Sequence, residues 1–390
     1  MAACTDGSAV NTTPDLAVAG PPLGTPITAP LNTWTWVDFP DSVCDDGTST
    51  GMAINPSGGK NLLIFLNGGG ACWDNLTCSF PIAGLPAQVP QFFVPAVPPG
   101  IEQTLVDGIF STSNAANPVR DWNMVYIPYC TGDIHTGSAT KTYTSVGHPV
   151  LPVPPGTPIT IQHRGYDNFM VVLDWMKRHI AAPKNVLVTG VSAGGYGATA
   201  NSPWVGQAYP NAHMYLLADA SQGVTTAAFD HGNPGRNSWN PQLAPWVFGA
   251  GADVAPGPEL MRRAALGQPK VKAAQFTTTL DAVQIGFYGV MKQYYGPGGS
   301  CPNPAIDWHQ QMTRQLVADA ADLGNFRYYL AGGSYHTLLR DGQFYSESSA
   351  GPSFASWLGD MLANRGGRGG HGGGWFNAAC PTCLADLPCQ

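Results

Sequence analysis

Charged side chains are scarce in this sequence, making up 11% of its 390 residues, against roughly a quarter in typical soluble chains. Lys and Arg together number 18 and Asp and Glu 25, so the formal net charge is −7. This balance excludes a polybasic nucleic-acid-binding protein, a coiled coil and a highly charged disordered chain. We therefore expect no nucleic-acid partner.

Long hydrophobic runs are also missing. No apolar stretch reaches the ~18 residues of a membrane span, and the mean hydropathy is −0.06, so no membrane span is expected. The polar residues after Met1 contain no signal-peptide pattern, and we interpret the chain as a secreted or periplasmic protein whose export signal has been removed. Nine cysteines beside 48 glycines and 35 prolines favour an oxidising compartment. The odd number leaves one thiol unpaired unless chains cross-link.

Apolar segments of strand length recur along the chain. Near-continuous apolarity is typical of strands that are buried on both faces of a sheet. The segments are 61–66, 124–127, 185–189, 214–217, 274–280 and 326–330, preceded by two shorter strands at 34–38 and 51–54. Helical patterns at 167–180, 305–323 and 353–363 lie between or after them. The alternation predicts an α/β fold with a mostly parallel central sheet and helices on both faces.

Composition divides the chain into three parts. Residues 1–33 are polar and proline-rich and predict an irregular arm, and residues 34–363 form the predicted α/β domain. Within it, residues 221–272 are rich in Trp, Pro and Gly, which predicts a cap-like insertion with one short helix at 259–265, over the sheet edge where ligands bind. Residues 364–390 predict a glycine-rich linker and a cysteine-containing tail, a more economical interpretation than RNA binding by its two arginines.

A serine between glycines is the strongest functional signal. Gly190-Val-Ser192-Ala-Gly194 follows a buried strand and precedes a helix start rich in small residues, which is the context of a nucleophile elbow. Glycines are needed there because strand and helix approach closely, and the helix start presents backbone N–H groups to an anion. The alternative is a turn that merely caps a helix. We favour Ser192 as a nucleophile.

A glycine triplet follows another predicted strand. Gly68-Gly69-Gly70 offers backbone N–H groups without obstructing side chains, as does the oxyanion-hole loop of α/β-hydrolases. We assign the N–H groups of Gly69, Gly70 and Ala193 as oxyanion donors. A tight turn or a phosphate-binding loop is the alternative, but no G-x-x-x-x-G-K-S/T motif is present.

A serine nucleophile needs a histidine base and an acid that orients it. In α/β-hydrolases the chain order is Ser, then Asp or Glu, then His. His336 follows the last long strand and is the predicted base, whereas His309 lies in a predicted helix and His371 in the glycine-rich tail. Asp281 follows the preceding strand and is the predicted acid. The rival acids are Asp219, whose other role would be to brace loops beside the site, and Asp253 in the insertion, with Asp307, Asp319 and Asp322 less suitable because they lie in or near a helix.

These residues resemble the pectin acetylesterase/Notum family of serine carboxylesterases over about residues 34–363. Four motifs carry the resemblance, and they are joined by Leu280-Asp281 with Gln284 and by Tyr335-His336. The motifs are Val43-Cys44-Asp45-Asp46-Gly47-Thr48, Gly68-Gly-Gly-Ala-Cys72 with Cys78, Tyr129-Cys130-Thr131-Gly132 and Gly190-Val-Ser-Ala-Gly-Gly195. The resemblance implies an α/β-hydrolase fold, ester hydrolysis through an acyl-serine without metal or cofactor, a Ser192–Asp281–His336 triad and a Cys72–Cys78 disulfide.

Two positions depart from the family pattern. Ala71 stands where the family has Trp, and Asn67 where it has Glu or a similar polar residue. Loss of an indole beside the acyl site would reshape the pocket, so the substrate does not carry over. Family members remove acetyl groups from pectin or a long acyl chain from a secreted protein.

Several further residues are weaker candidates. Asp133 and His135 follow a strand at the same sheet edge and either line the pocket or fasten their loop, and a zinc site there lacks ligands. Ala71, Trp246 and Phe287 are candidate pocket residues beside three other aromatic residues that are more typical of a core: Trp204, Phe248 and Tyr288. The cysteines of the tail, Cys380, Cys383 and Cys389, favour disulfides over a metal site.

The first hypothesis is therefore an exported serine esterase acting on an acylated small molecule or polymer, with deacetylation of a polysaccharide such as pectin as the first expectation. A polyester or aryl-ester substrate is the alternative within the same mechanism. A catalytically silent hydrolase-fold module that binds glycans is the alternative from another class. We favour a monomer.

Overall fold

A computed structural model describes residues 25–79, 97–147, 154–363 and 374–389. The eleven strands in these ranges are β1 (Thr35–Val43), β2 (Ser49–Asn55), β3 (Asn61–Leu66), β4 (Asn123–Ile127), β5 (Ala139–Thr144), β6 (Pro158–His163), β7 (Asn185–Val191), β8 (His213–Asp219), β9 (Lys272–Thr278), β10 (Phe326–Ala331) and β11 (Ala378–Ala379). Nine of them form one sheet in the order β1-β2-β4-β3-β7-β8-β9-β10-β11, and β5 and β6 form a separate hairpin.

The large sheet is mostly parallel, as the sequence predicts. Only the β1–β2 and β2–β4 pairs are antiparallel, and every pair from β4–β3 to β10–β11 is parallel. In a parallel sheet the carboxyl ends of the strands meet at one edge. The segments that follow β3, β7, β9 and β10 therefore approach one another at that edge.

Helices connect and cover these strands. They are α1 (Gly165–His179), α2 (Ala193–Ala208), α3 (Ala227–His231), α4 (Pro245–Phe248), α5 (Leu260–Gly267), α6 (Ala282–Tyr294), α7 (Pro304–Asp322), α8 (Gln343–Ser346) and α9 (Phe354–Leu362). The helices expected at 167–180, 305–323 and 353–363 correspond to α1, α7 and α9, and the short helix expected at 259–265 is α5. None of the described helices is both long and apolar enough to cross a membrane.

Two hydrophobic cores lie on opposite faces of the sheet. Along β3, Leu62 and Ile64 contribute to one core, whereas Leu63 and Phe65 contribute to the other. This alternation follows from the two-residue period of a strand. It explains why the sequence reads as continuously apolar here, since both faces of the sheet are covered.

The ends of the chain differ from the simple expectation of an arm and a tail. Residues 1–24 of the expected arm and 364–373 of the expected linker lie outside the described residues. Beyond the linker, β11 pairs with β10, so the last part of the chain extends the central sheet. Near the start, β1 continues to Val43 where the sequence predicted a strand that ends at residue 38, and its pairing with β2 is irregular between Phe39 and Val43.

Four disulfides join distant and neighbouring segments. They are Cys44–Cys130, Cys72–Cys78, Cys301–Cys389 and Cys380–Cys383. The Cys72–Cys78 pair is the one that the family resemblance implies. Cys4, the ninth cysteine, lies outside the described residues.

Asp45 makes the stability of the fold depend on pH. Its side chain is buried, and burial raises its pKa to about 9, with the charge of Asp46 adding to the shift. A carboxyl whose pKa is raised on folding stabilises the protein fully below its unfolded pKa of about 4, and this stabilisation is lost as the pH rises through 9.

We therefore expect Asp45→Asn to melt at nearly the same temperature as the wild type at pH 4. At pH 9 we expect it to be more stable by about 1 kcal/mol or more, since an amide carries no charge to desolvate. Thermal unfolding across this range measures the difference. Asp41→Asn, at an exposed position of β1, is the control, and parallel melting curves for Asp45→Asn and the wild type would contradict the prediction.

Candidate active site

Ser192 occupies a sharp turn between β7 and α2. Its backbone has φ 55° and ψ −125°, a strained conformation for a residue with a side chain. Its N–H donates to the Asp219 carbonyl at 2.8 Å. Neighbouring glycines make the turn possible, since a Cβ on Gly194 would lie 2.0 Å from the Leu66 carbonyl oxygen.

The glycine triplet lies directly against this turn. A Cβ on Gly68 would lie 2.5 Å from the Val191 carbonyl oxygen and 2.9 Å from the Ser192 Cβ. Within the described ranges, the N–H groups of Gly69, Gly70 and Ala193 have no protein acceptor. Gly70 and Ala193 line the same cleft as Ser192, whereas Gly69 is not among the lining residues. The arrangement leaves backbone donors beside the serine.

Asn67 holds the triplet in place through three hydrogen bonds. Its N–H donates to the Ile127 carbonyl at 2.9 Å, and its own carbonyl accepts from His135 Nε2 at 2.9 Å. Its side-chain Oδ1 accepts from Arg340 Nη1 at 2.8 Å. Burial lowers the pKa of His135 to about 4, so this imidazole is neutral and carries its proton on Nε2. Sequence reasoning missed Arg340, which is distant in the chain and carries no motif.

His336 follows β10 and faces the cleft beside Ser192. Its Nδ1 lies 2.9 Å from Oδ1 and 2.8 Å from Oδ2 of Asp281. Its Nε2 is buried and has no hydrogen-bond partner among the described residues, and the whole side chain is 19% exposed. One nitrogen is therefore fixed by a carboxylate, and the other is left to exchange a proton with a neighbour.

Asp281 is positioned by the start of α6. Its Oδ1 accepts from the N–H groups of Val283 and Gln284 at 3.1 and 3.0 Å, as is typical of an N-cap aspartate. Its Oδ2 accepts from Gln284 Nε2 at 2.9 Å. Gln284 is held in turn by Gln222, whose Oε1 accepts from the same amide nitrogen at 2.8 Å. The carboxylate therefore keeps a fixed orientation toward His336.

Asp219 has a different position from Asp281. Its Oδ2 accepts from the N–H groups of Leu338 and Leu339, at 2.9 and 3.0 Å. The carboxylate braces the loop that follows His336, and burial raises its pKa to about 7. Asp253 is exposed in the insertion, and His309 is buried between the carbonyls of Thr279 and Ala385. His371 lies outside the described residues.

A cleft opens beside Ser192 and His336. Most of its walls are apolar and come from the glycine loop, the insertion and α6. The large apolar or aromatic side chains that line it are Trp73, Ile134, Tyr196, Val224, Phe229, Trp239, Leu260, Val283, Phe287, Met291 and Trp308. An indole is therefore present, since Trp73 lines the cleft two residues beyond Ala71.

The weaker sequence candidates divide into two groups. Ala71 and Phe287 line the cleft. Asp133 and His135 do not, which corrects the expectation of pocket residues: Asp133 is fully buried and accepts from Thr131 Oγ1 and the Gly165 N–H at 2.7 Å each. These bonds fasten a loop, which was the alternative interpretation.

Trp246 is also absent from the cleft. It is 51% exposed and packs edge-on against Trp204, with ring centroids 4.7 Å apart. Phe248 and Tyr288 are fully buried in the core. Other aromatic residues do line the cleft, such as Phe229 and Trp239. They carried no signal in the sequence because their helices, of five and four residues, are too short to show a periodic pattern.

One group of side chains has metal-ligand spacing in the part of the chain that the structure describes. It consists of Cys72, Cys78 and His163. The two cysteines form a disulfide and so offer no thiolates. The ring nitrogens of His163 lie 2.9 Å from the Thr131 carbonyl oxygen and the Tyr143 hydroxyl.

The family model described as "Pectinacetylesterase" matches residues 33–233, just over half of the sequence. The chain belongs to the pectinacetylesterase family. The resemblance stated from the motifs is thereby confirmed. The match covers the glycine triplet and Ser192, whereas Asp281 and His336 lie beyond it.

Curated relatives of this pectinacetylesterase-family chain carry one recurring name. This chain is 31% identical over 185 residues to palmitoleoyl-protein carboxylesterase notum1 of Xenopus laevis, and the match covers 45% of this chain and 34% of the relative. It is 27% identical over 200 residues to palmitoleoyl-protein carboxylesterase NOTUM of Homo sapiens, covering 48% and 36%. The matched segments thus span about a third of these relatives.

Another relative is named inactive palmitoleoyl-protein carboxylesterase notum1b of Danio rerio. The identity is 33% over 102 residues, covering 25% of this chain and 68% of the relative. Because one relative is named inactive, membership of the pectinacetylesterase family does not by itself indicate activity, and the residues of the site decide it.

The two buried carboxylates near His336 allow a matched test of their positions. We expect Asp281→Asn to lower kcat by about 10⁴, because an amide in place of the carboxylate favours the wrong imidazole tautomer. We expect Asp219→Asn to lower kcat far less, since an amide oxygen still accepts from the Leu338 and Leu339 N–H groups.

Steady-state hydrolysis of p-nitrophenyl acetate measures both variants, with circular dichroism as a check of folding. If both variants fold and lose the same factor in kcat, the prediction that only Asp281 acts through contact with the imidazole is wrong.

Proposed function

We propose that this chain is a serine carboxylesterase with an α/β-hydrolase arrangement. The supporting observation is that Ser192 and His336 line one cleft together with Gly70 and Ala193, whose N–H groups have no acceptor among the residues that the structure describes. The order of the chain also fits, because Ser192 follows β7, Asp281 follows β9 and His336 follows β10.

In the proposed reaction His336 Nε2 removes the proton of Ser192 Oγ, and the oxygen attacks an ester carbonyl. The N–H groups of Gly69, Gly70 and Ala193 stabilise the negative charge that develops on the carbonyl oxygen. His336 then donates its proton to the departing alcohol. Water releases the acyl group in a second, equivalent step, and Asp281 stabilises the imidazolium in both.

The substrate that the cleft favours has an apolar acyl group of several carbons. Each buried CH₂ contributes about 0.8 kcal/mol to binding in an apolar site, and an acetyl group would contact only a few of the large apolar side chains that line the cleft. Deacetylation of a polysaccharide such as pectin was the first expectation from the sequence. It is supported by the resemblance to the family and not by the shape of the cleft. The aromatic walls favour the aryl-ester or polyester alternative over it.

A silent glycan-binding module is less consistent with the site. Such a module needs neither a strained serine at φ 55° nor an imidazole with one nitrogen fixed and the other unpartnered. A strained backbone conformation lowers the stability of the folded protein, and a surface that only binds glycans has no need of it. We therefore place catalysis ahead of binding.

Export from the cytoplasm is part of the proposal. Eight cysteines form four disulfides, and such bonds persist in oxidising compartments. We propose a secreted or periplasmic enzyme that acts as a monomer on an acylated small molecule or polymer.

The reaction is tested by Ser192→Ala. We expect its turnover of p-nitrophenyl butyrate to fall by about a thousandfold or more, because no other group in the cleft replaces the nucleophile. Ser346→Ala, at an exposed position of α8, is the control and should keep wild-type activity. Wild-type turnover by folded Ser192→Ala would contradict the proposal.

The acyl preference is tested with p-nitrophenyl esters from acetate to decanoate. We expect kcat/KM to rise over the first several carbons, by about fourfold per added CH₂, until the cleft is full. A maximum at acetate, together with release of acetate from pectin or xylan, would instead support polysaccharide deacetylation.

A further inference from the structure

The wall of the cleft contains a buried arginine. Arg236 begins a short 3₁₀ helix (Arg236–Trp239), its side chain is 3% exposed, and it lines the same cleft as Ser192 and His336. Arginine is almost never fully buried unless it is paired. The other walls of this cleft are mostly apolar, so a buried guanidinium is unusual there and needs a charged or hydrogen-bonding partner.

Asp230 supplies charge compensation for Arg236. Its side chain is 2% exposed, and Oδ1 lies 3.5 Å from Arg236 Nη1. The carboxylate also accepts from Thr225 Oγ1 at 2.6 Å and from the Gly257 N–H at 3.0 Å. The carboxylate is therefore held mainly by other donors, and the pair as a whole is electrically neutral.

The guanidinium is only partly used by the protein. Nη2 donates to the Ala255 carbonyl at 2.7 Å. Nε and Nη1 are buried and make no hydrogen bond to any described residue. A buried donor left without an acceptor is costly, and the cost is removed when a ligand supplies the acceptor.

We propose that Arg236 is a specificity residue and that one of its two unpartnered nitrogens, Nε or Nη1, donates to a second, uncharged carbonyl oxygen on the acyl group held in the cleft. This rests on the proposed esterase function and narrows its substrates to acyl groups that carry an oxo or ester carbonyl beyond the scissile bond. An uncharged acceptor fits better than a carboxylate, because Asp230 already neutralises the guanidinium. The repeating esters of an aliphatic polyester have this chemistry.

The test compares matched pairs of p-nitrophenyl esters that differ by one carbonyl. The pairs are 4-oxopentanoate with pentanoate, 5-oxohexanoate with hexanoate, and 6-oxoheptanoate with heptanoate. For each pair, the ratio of kcat/KM values is divided by the ratio of hydroxide rates, which removes intrinsic reactivity. We expect Arg236→Met to lower this corrected ratio by about tenfold for at least one pair.

Arg262→Met is the matched control. Arg262 lies on α5 in the same insertion, but it bonds to Asp319 and Asp322 and does not line the cleft. Its corrected ratios should equal those of the wild type. Unchanged ratios for all three pairs in an active Arg236→Met enzyme would overturn the proposal.

Loss of Arg236 alone leaves Asp230 as an uncompensated buried charge, which destabilises a protein strongly. If Arg236→Met does not fold, Asp230→Asn with Arg236→Met removes both charges, keeps an acceptor for the Gly257 N–H, and is compared on the same esters. A p-nitrophenyl monoester of adipic acid adds a carboxylate arm. A larger Arg236-dependent gain for that ester than for the ketones would overturn the uncharged acceptor.

Failure of this inference is separable from failure of the esterase proposal. If Ser192→Ala retains full hydrolysis, the esterase proposal is wrong. If Ser192→Ala is inactive while the corrected ratios do not depend on Arg236, only the role of Arg236 is wrong.

Discussion

The close approach of two backbone segments at the carboxyl edge of the sheet is the constraint on which the site depends. The loop after β3 lies against the turn after β7 so tightly that a Cβ on Gly68 or Gly194 would overlap backbone oxygens. This contact places N–H groups that have no acceptor in the described part of the chain beside Ser192. It also explains the glycines at positions 68 and 194, because a side chain at either one would push the two backbone segments apart.

Two buried carboxylates, Asp281 and Asp219, position His336 and its loop beside the serine turn. Asp281 is fixed by the start of α6 and by Gln284, and it orients one nitrogen of His336. Asp219 fastens the loop just after His336, and its own backbone carbonyl receives the Ser192 N–H. Asp219, at the end of β8, therefore connects the serine turn with the histidine loop through its backbone and its side chain.

The sequence predicted what depends on local pattern. Apolar strands, the turn around Ser192 and the placement of His336 after the last long strand are all visible in short windows of residues. The pocket was less predictable, because it is built by the irregular insertion. The sequence does not tell that Asp133 and His135 point into the protein, that Trp246 lies at the surface, or that Trp73 and Arg236 line the cleft, since each outcome depends on packing between distant segments.

In the proposed reaction Ser192 and His336 act together as nucleophile and base. The most direct test is labelling by diethyl p-nitrophenyl phosphate, followed by peptide mass spectrometry of the wild type and His336→Ala. We expect stoichiometric diethyl phosphate on Ser192 in the wild type, and labelling slowed by about 10³ or more in the variant. Labelling at another residue, or equal labelling rates in both proteins, would contradict it.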